Sequence, residues 1–201
     1  MVRITRVVCV PHNTSDVNVM NNHSPSKLPS LILGILFIIL NGCSFFGSSD
    51  HPPLETVPSV DVQRYLGLWY EIASLPVRQQ KGCSCTTAEY ALLEKGVLSV
   101  INTCKKGDGT DRVEGKAFIV EGSNNAKLKV QFFWPFRGDY WVIDLAEDYS
   151  YAVVGLPSRK YCWILSRTPS MDAVVLDTLI SRLRQKGFPT DQMQRTTHDC
   201  G

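Results

Sequence analysis

Glu71 shares one face of an apolar run with Trp69 in GLWYEIASLP, residues 67–76. A lone carboxylate among apolar side chains suits a headgroup or water partner better than a general base, which needs a second group to orient it. The other reactive side chains are seven cysteines: Cys9, Cys43, Cys83, Cys85, Cys104, Cys162 and Cys200. That number points to an oxidising compartment. Cys83-Ser84-Cys85 has neither the C-x-x-C spacing nor a nearby histidine, so it is a poor metal or redox pair. Beyond residue 43 the histidines are His51 and His198, and neither is placed to serve a nucleophile. No phosphate loop, HExxH motif or pair of acids on one short segment occurs. The chemistry on offer is binding, with no cofactor and no catalytic constellation.

The elements that must position these residues are strands. Turn signals separate short runs at 67–74, 85–93, 97–104, 113–120, 127–134, 139–146, 150–156 and 161–167. Glu94-Lys95-Gly96, 105–109 and 121–125 read as hairpin loops, so neighbours in sequence pair antiparallel. No helix-length crossover lies between the strands, which excludes a parallel sheet. The fold class is all-β: an eight-stranded antiparallel up-and-down barrel, whose closure removes its edges. One helix follows. Thr168 is its expected N-cap and Pro169 its first residue. Leu176, Leu179, Ile180 and Leu183 form its stripe, and Gly187 stops it. A single amphipathic helix cannot bury its stripe alone, so it packs outside the barrel. A short strand near 193–198 ends the chain.

The 21 basic and 19 acidic side chains differ by two. Residues 1–42, with Arg3, Arg6 and Lys27 against Asp16, hold that whole excess. The remainder is neutral with mixed signs, which gives no footprint for nucleic acid. LILGILFIIL, residues 31–40, is too short to span a bilayer comfortably and has the length of a signal-peptide core. A compact signal starts at Met20. Residues 1–19 are expected to be an upstream, non-native extension, and 20–42 the signal. Leu40-Asn41-Gly42-Cys43 resembles a bacterial lipobox, although Asn41 departs from its pattern. The resemblance implies lipidation of Cys43, and Ser44 after it implies outer-membrane sorting. Several acyl chains give stable attachment. Residues 43–59, rich in Ser, Pro and Gly, then read as a lipidated tether, and 60–201 as the barrel with its helix and tail.

Three stretches in order resemble the lipocalin family: Gly67-Leu68-Trp69, Asp148-Tyr149-Ser150-Tyr151-Ala152, and Arg167 within WILSRTP. YLGLWYEIASLP, EGKAF and LKVQFFWPFRGDYWVI are most similar to bacterial outer-membrane lipocalins of the apolipoprotein D-like branch. The resemblance implies a barrel base in which Arg167 stacks on Trp69 beside Gly67. It implies a Cys85–Cys200 disulfide, and leaves Cys83–Cys104 as a second bridge and Cys162 as an odd thiol facing the helix. A Gram-negative outer-membrane location facing the periplasm follows from the same resemblance.

With the base placed, alternation draws the interior. It takes Glu71 and Ala73 from the first strand, and Ala88, Tyr90 and Leu92 from the second. Leu98, Val100 and Asn102 follow on the third, Ala117 and Ile119 on the fourth, and Leu128, Val130 and Phe132 on the fifth. Tyr161, Trp163 and Leu165 come from the eighth. On the sixth, Tyr140 with Val142, or Trp141 with Ile143, could face in. This apolar lining with a few polar groups suits an amphiphile such as a fatty acid or lysophospholipid. A barrel plugged by its own side chains is the bland alternative. Phe132-Phe133-Trp134-Pro135-Phe136 is either rim packing or a lip that touches a membrane or a second subunit, making a homodimer. A carrier is the main expectation. An enzyme using an in-barrel thiol and a ligand-free envelope protein are the alternatives.

Overall fold

The computed structural model describes residues 51–200. Cys9, Cys43, the 1–19 extension and the 20–42 signal lie outside the described residues. A one-turn helix α1 (Val62–Tyr65), capped by the Asp61 carboxylate, leads into β1 (Gly67–Ser74). Then come β2 (Ser84–Glu94), β3 (Val97–Lys106), β4 (Gly109–Ile119), β5 (Lys127–Gln131), β6 (Gly138–Leu145), β7 (Tyr151–Gly155) and β8 (Cys162–Ser166). Each strand pairs antiparallel with the next. β1 pairs with both β8 and β2, which closes the barrel. Helix α2 (Ala173–Gln185) and a two-residue β9 (Gln194–Arg195) follow.

Alternation sorts the buried side chains into two cores. Inside lie Trp69, Tyr90, Leu98, Val100, Ala117, Leu128, Val142, Val154 and Leu165. Outside, Ile72, Val153, Cys162 and Ile164 meet Leu176, Leu179 and Leu183 of α2. The ambiguity in β6 is settled: Tyr140 and Val142 pack inward, while Trp141 and Ile143 pack toward the helix side.

Four expectations need correction. Ala73 does not face in, because a bulge between Glu71 and Ala73 puts Ile72 and Ala73 both outside and returns Ser74 to the inner face. Leu92 is 47% exposed, near the hairpin end of β2. Helix α2 starts at Ala173, not Pro169. Asp172 caps it, accepting from Val174 N and Val175 N, while the Thr168 hydroxyl donates to Ser170 O. A tether does not run to residue 59. Leu54 is buried in the outer core, and Val57, whose N donates to Val142 O, packs against the inner core. Their few apolar side chains are diluted by Pro, Ser and Glu, which made the segment look unpacked.

The two ends of the barrel differ. Helix α1 and loops 95–96, 120–126 and 146–150 close the floor. Loops 75–83, 107–108, 132–137 and 156–161 surround the mouth. There β2 diverges from β1, and β9 takes its place beside Ala73 and Ser74. Cys85 N then donates to Thr197 O, so the tail wedges between β1 and β2. Disulfides join Cys85 to Cys200 and Cys83 to Cys104.

Candidate functional site

The floor is built on Trp69, which is fully buried. Its indole N–H donates to Tyr65 O at 2.9 Å. The Arg167 guanidinium lies 3.7 Å from the ring centroid and donates to Leu68 O and Arg64 O. Gly67 turns the chain into β1 at φ +88°, a conformation that a side chain would strain.

Above the floor three tyrosines meet. Tyr90 donates to the Tyr140 hydroxyl at 2.9 Å, and Tyr65 and Tyr140 share a hydrogen bond of 2.8 Å. Burial pushes the Tyr90 hydroxyl up to about 12 and raises Tyr65 and Tyr140 as well. The sign of the linkage follows. The unfolded tyrosines ionise near pH 10 while the folded ones keep their protons. Stability is therefore untouched below pH 10 by these groups and falls as pH rises from 10 through 12. Urea midpoints measured from pH 9 to 12 should decline over that window. Tyr90→Phe should flatten the decline, since one of the shifted groups is gone.

The walls are apolar. Tyr90, Val100, Ala117 and Leu128 belong to the buried inner cluster, and Val130, Phe132, Tyr140 and Trp163 pack against it. Phe132 lies past the end of β5 and folds over Gly115. A Cβ on Gly115 would come within 2.7 Å of the Phe132 ring and 2.6 Å of Gln131 O. Asn102, on the inward register of β3 opposite Ala88, leaves its buried Oδ1 without a hydrogen-bond partner. An orphaned acceptor of this kind is available to a donor from a ligand or water.

Glu71 stands at the mouth, 6% exposed. Its carboxylate accepts from Ser74 Oγ at 3.0 Å, Gln80 Nε2 at 2.7 Å and Thr196 Oγ1 at 2.7 Å. Gln80 Oε1 in turn accepts from the Trp163 indole. Glu71, Ser74, Gln80 and Thr86 line a cavity of about 290 Å³, whose wall also carries Arg78, Lys81 and Arg195. Of the ten expected lining residues only Glu71 reaches this cavity; Asn102 and the eight others lie elsewhere in the interior. A shallow depression of about 410 Å³, bounded by Pro169, Ser170, Thr197, His198 and Asp199, touches none of them.

Sequence reasoning missed Tyr65, Ser74, Gln80 and Thr196. Tyr65 hides in a one-turn helix, Ser74 behind a bulge, and Gln80 and Thr196 in segments with no periodicity to read.

Residues 60–198 match the lipocalin-like domain. The chain belongs to the lipocalin family. This lipocalin is 39% identical over 168 residues to the outer membrane lipoprotein Blc of Vibrio cholerae, covering 82% of this chain and 95% of that one. It is 43% identical over 148 residues to the outer membrane lipoprotein Blc of Escherichia coli K12, covering 70% and 82%. With apolipoprotein D of Bos taurus it shares 37% over 172 residues, covering 80% and 88%. Insecticyanin of the tobacco hornworm has the same fold, at TM-score 0.61 and 20% identity over 75% of this chain and 87% of that one.

Among the described residues the lipocalin carries one free thiol, away from the interior. Cys162 is fully buried beneath α2, on the outer face of β8, and burial pushes its pKa up. The folded protein should leave Cys162 unreactive toward a thiol reagent, with reaction appearing only on denaturation. A fast-reacting Cys162 in the native state would contradict this burial.

Proposed function

We propose that this lipocalin carries a small amphiphile, of fatty-acid or lysophospholipid type, with its acyl chain in the barrel and its headgroup at the mouth. The observation that carries the reading is the polarity gradient along the barrel. Apolar walls lead up from Trp69 to a mouth cavity lined by Glu71, Ser74, Gln80 and Thr86, with Arg78, Lys81 and Arg195 in the same wall. Cationic side chains there suit a carboxylate or phosphate headgroup. The protein is not an enzyme on this reading: Glu71 is committed to three donors, and Cys162 is outside the barrel.

We further propose that Cys43 is acylated and holds the domain on the outer membrane, facing the periplasm. The lipobox-like segment and the similarity to bacterial outer membrane lipoproteins support this. No helix among the described residues is long and apolar enough to cross a membrane.

Native mass spectrometry of protein purified from membranes tests the ligand. A stoichiometric co-purified lipid, lost in an Arg78→Glu/Arg195→Glu variant, is the expected result. An empty barrel that also rejects added palmitate and lysophospholipid favours the structural envelope role.

A further inference from the structure

We propose that the mouth of the barrel docks directly on an anionic lipid bilayer, with Phe133, Trp134 and Phe136 inserted between the lipids. This rests on the membrane-anchored reading above and adds to it an orientation and a contact surface.

The first observation is strong aromatic exposure concentrated in one loop. Phe133 is 71% exposed, Trp134 86% and Phe136 77%, all in the loop joining β5 to β6 at the mouth. They are the most exposed aromatic side chains of the described residues. Bulky aromatics left in water on a loop tip have no folding role to balance their exposure, and the bilayer interface is where such rings are favoured.

The second observation is charge. Three of the four mouth loops, 75–83, 132–137 and 156–161, hold Arg78, Lys81, Arg137, Arg159 and Lys160 and no acid. At the opposite end, Asp61, Glu121, Glu147 and Asp148 stand against Arg64, Lys95 and Arg167. A chain that is neutral as a whole beyond residue 42 is thus cationic at the mouth, where the fourth loop adds Asp108 against those five cations, and not at the floor. Cations ringing exposed aromatics match an anionic lipid surface, which attracts basic side chains over roughly a Debye length.

The third observation is the path of the chain. From the floor, where Val60 N donates to Asn124 O, the N-terminal segment climbs along β6 through the Val57–Val142 hydrogen bond. It reaches the mouth, where Arg159 Nη2 donates to Pro52 O at 2.6 Å and Gly187, just past α2, packs against His51. The chain outside the described residues therefore continues from the mouth end. Eight peptide steps separate Cys43 from His51, at most about 28 Å of extended backbone. An acylated Cys43 keeps the mouth, rather than the floor, within reach of the bilayer. A ligand could then pass between lipid and barrel without crossing water.

The test uses the full chain purified from membranes and reconstituted into vesicles of phosphatidylethanolamine and phosphatidylglycerol, 3:1, containing lipids brominated along the acyl chain. Trp134 should be quenched, and Trp134→Phe should remove most of the quenchable fluorescence while Trp69, Trp141 and Trp163 stay protected. Quenching should fall at least twofold in phosphatidylcholine vesicles, and likewise in an Arg78→Glu/Lys81→Glu/Arg137→Glu variant. Quenching that Trp134→Phe leaves unchanged, or that ignores lipid charge, overturns the proposal. Weighing the same preparation separates it from the anchor. Unacylated protein with a quenched Trp134 removes the anchor and keeps the docking. Acylated protein with an unquenched Trp134 does the reverse.

Discussion

Trp69→Ala should lower the unfolding free energy by about 3–5 kcal/mol, the range for deleting a large, fully buried aromatic side chain. The loss has three sources. The indole fills the floor beneath Tyr65 and Tyr90, with the Tyr65 ring centroid 5.0 Å away. Its N–H satisfies Tyr65 O, which would be left to water or nothing. Its face also receives Arg167, a contact of about 1–2 kcal/mol at a partly desolvated site. Arg167→Lys should cost less, about 1–3 kcal/mol, because an ammonium cannot both stack and reach two carbonyls. Urea denaturation followed by circular dichroism reads both. Affinity for a bound acyl chain, measured well below the transition, should change little in Trp69→Ala, since the cationic mouth and the walls are intact. A stability loss below 1 kcal/mol would contradict the floor as described.

Replacing Cys85 and Cys200 together by serine should destabilise the domain by up to about 4–5 kcal/mol in the chain-entropy account, because the bridge closes a loop of more than a hundred residues. For a domain of this size that is a fall in melting temperature on the order of 10 °C. The denatured chain also becomes more expanded, so the urea m-value should rise. A local effect accompanies the global one. The tail that Cys200 holds supplies Thr196 Oγ1 to the Glu71 carboxylate and Thr197 O to Cys85 N. Released, it should leave Glu71 with Ser74 and Gln80 alone and widen the mouth. Faster hydrogen exchange at the backbone amides of positions 85 and 196 would show this. Unchanged exchange there would mean that β9 holds the tail without the disulfide.

Helix α2 was legible because Leu176, Leu179 and Leu183 recur at helical spacing, yet its start was not. Thr168-Pro169 and Asp172 both offer a cap, and only the packing of 168–171 against the end of β8 chooses between them. The interior was legible from Trp69 and Arg167 outward wherever strands run straight. Val100, Ala117, Leu128 and Val130 needed only the two-residue period and one fixed point. At Ile72–Ala73 the period breaks, and one extra residue reversed Ala73 and Ser74. The expected lining set and the mouth cavity overlap at Glu71 alone, because apart from Ser74 and Thr86 the rest of that cavity comes from the β1–β2 loop and the tail, far apart in sequence.

What the sequence by itself determined is local. Turn residues set the number of strands, alternation set their two faces, and Gly67, Trp69 and Arg167 marked the base, because each signal is carried by neighbours within a few residues. What only the tertiary structure decided depends on closure. Where β2 leaves β1, which face of β6 turns inward, how three tyrosines meet, and which end of the barrel the N-terminal segment climbs to are fixed by contacts between residues 17 to 125 positions apart. The acid in GLWYEIASLP belongs to both. Its inward direction is a matter of alternation, and its three partners are a matter of where the loop and the tail come to rest.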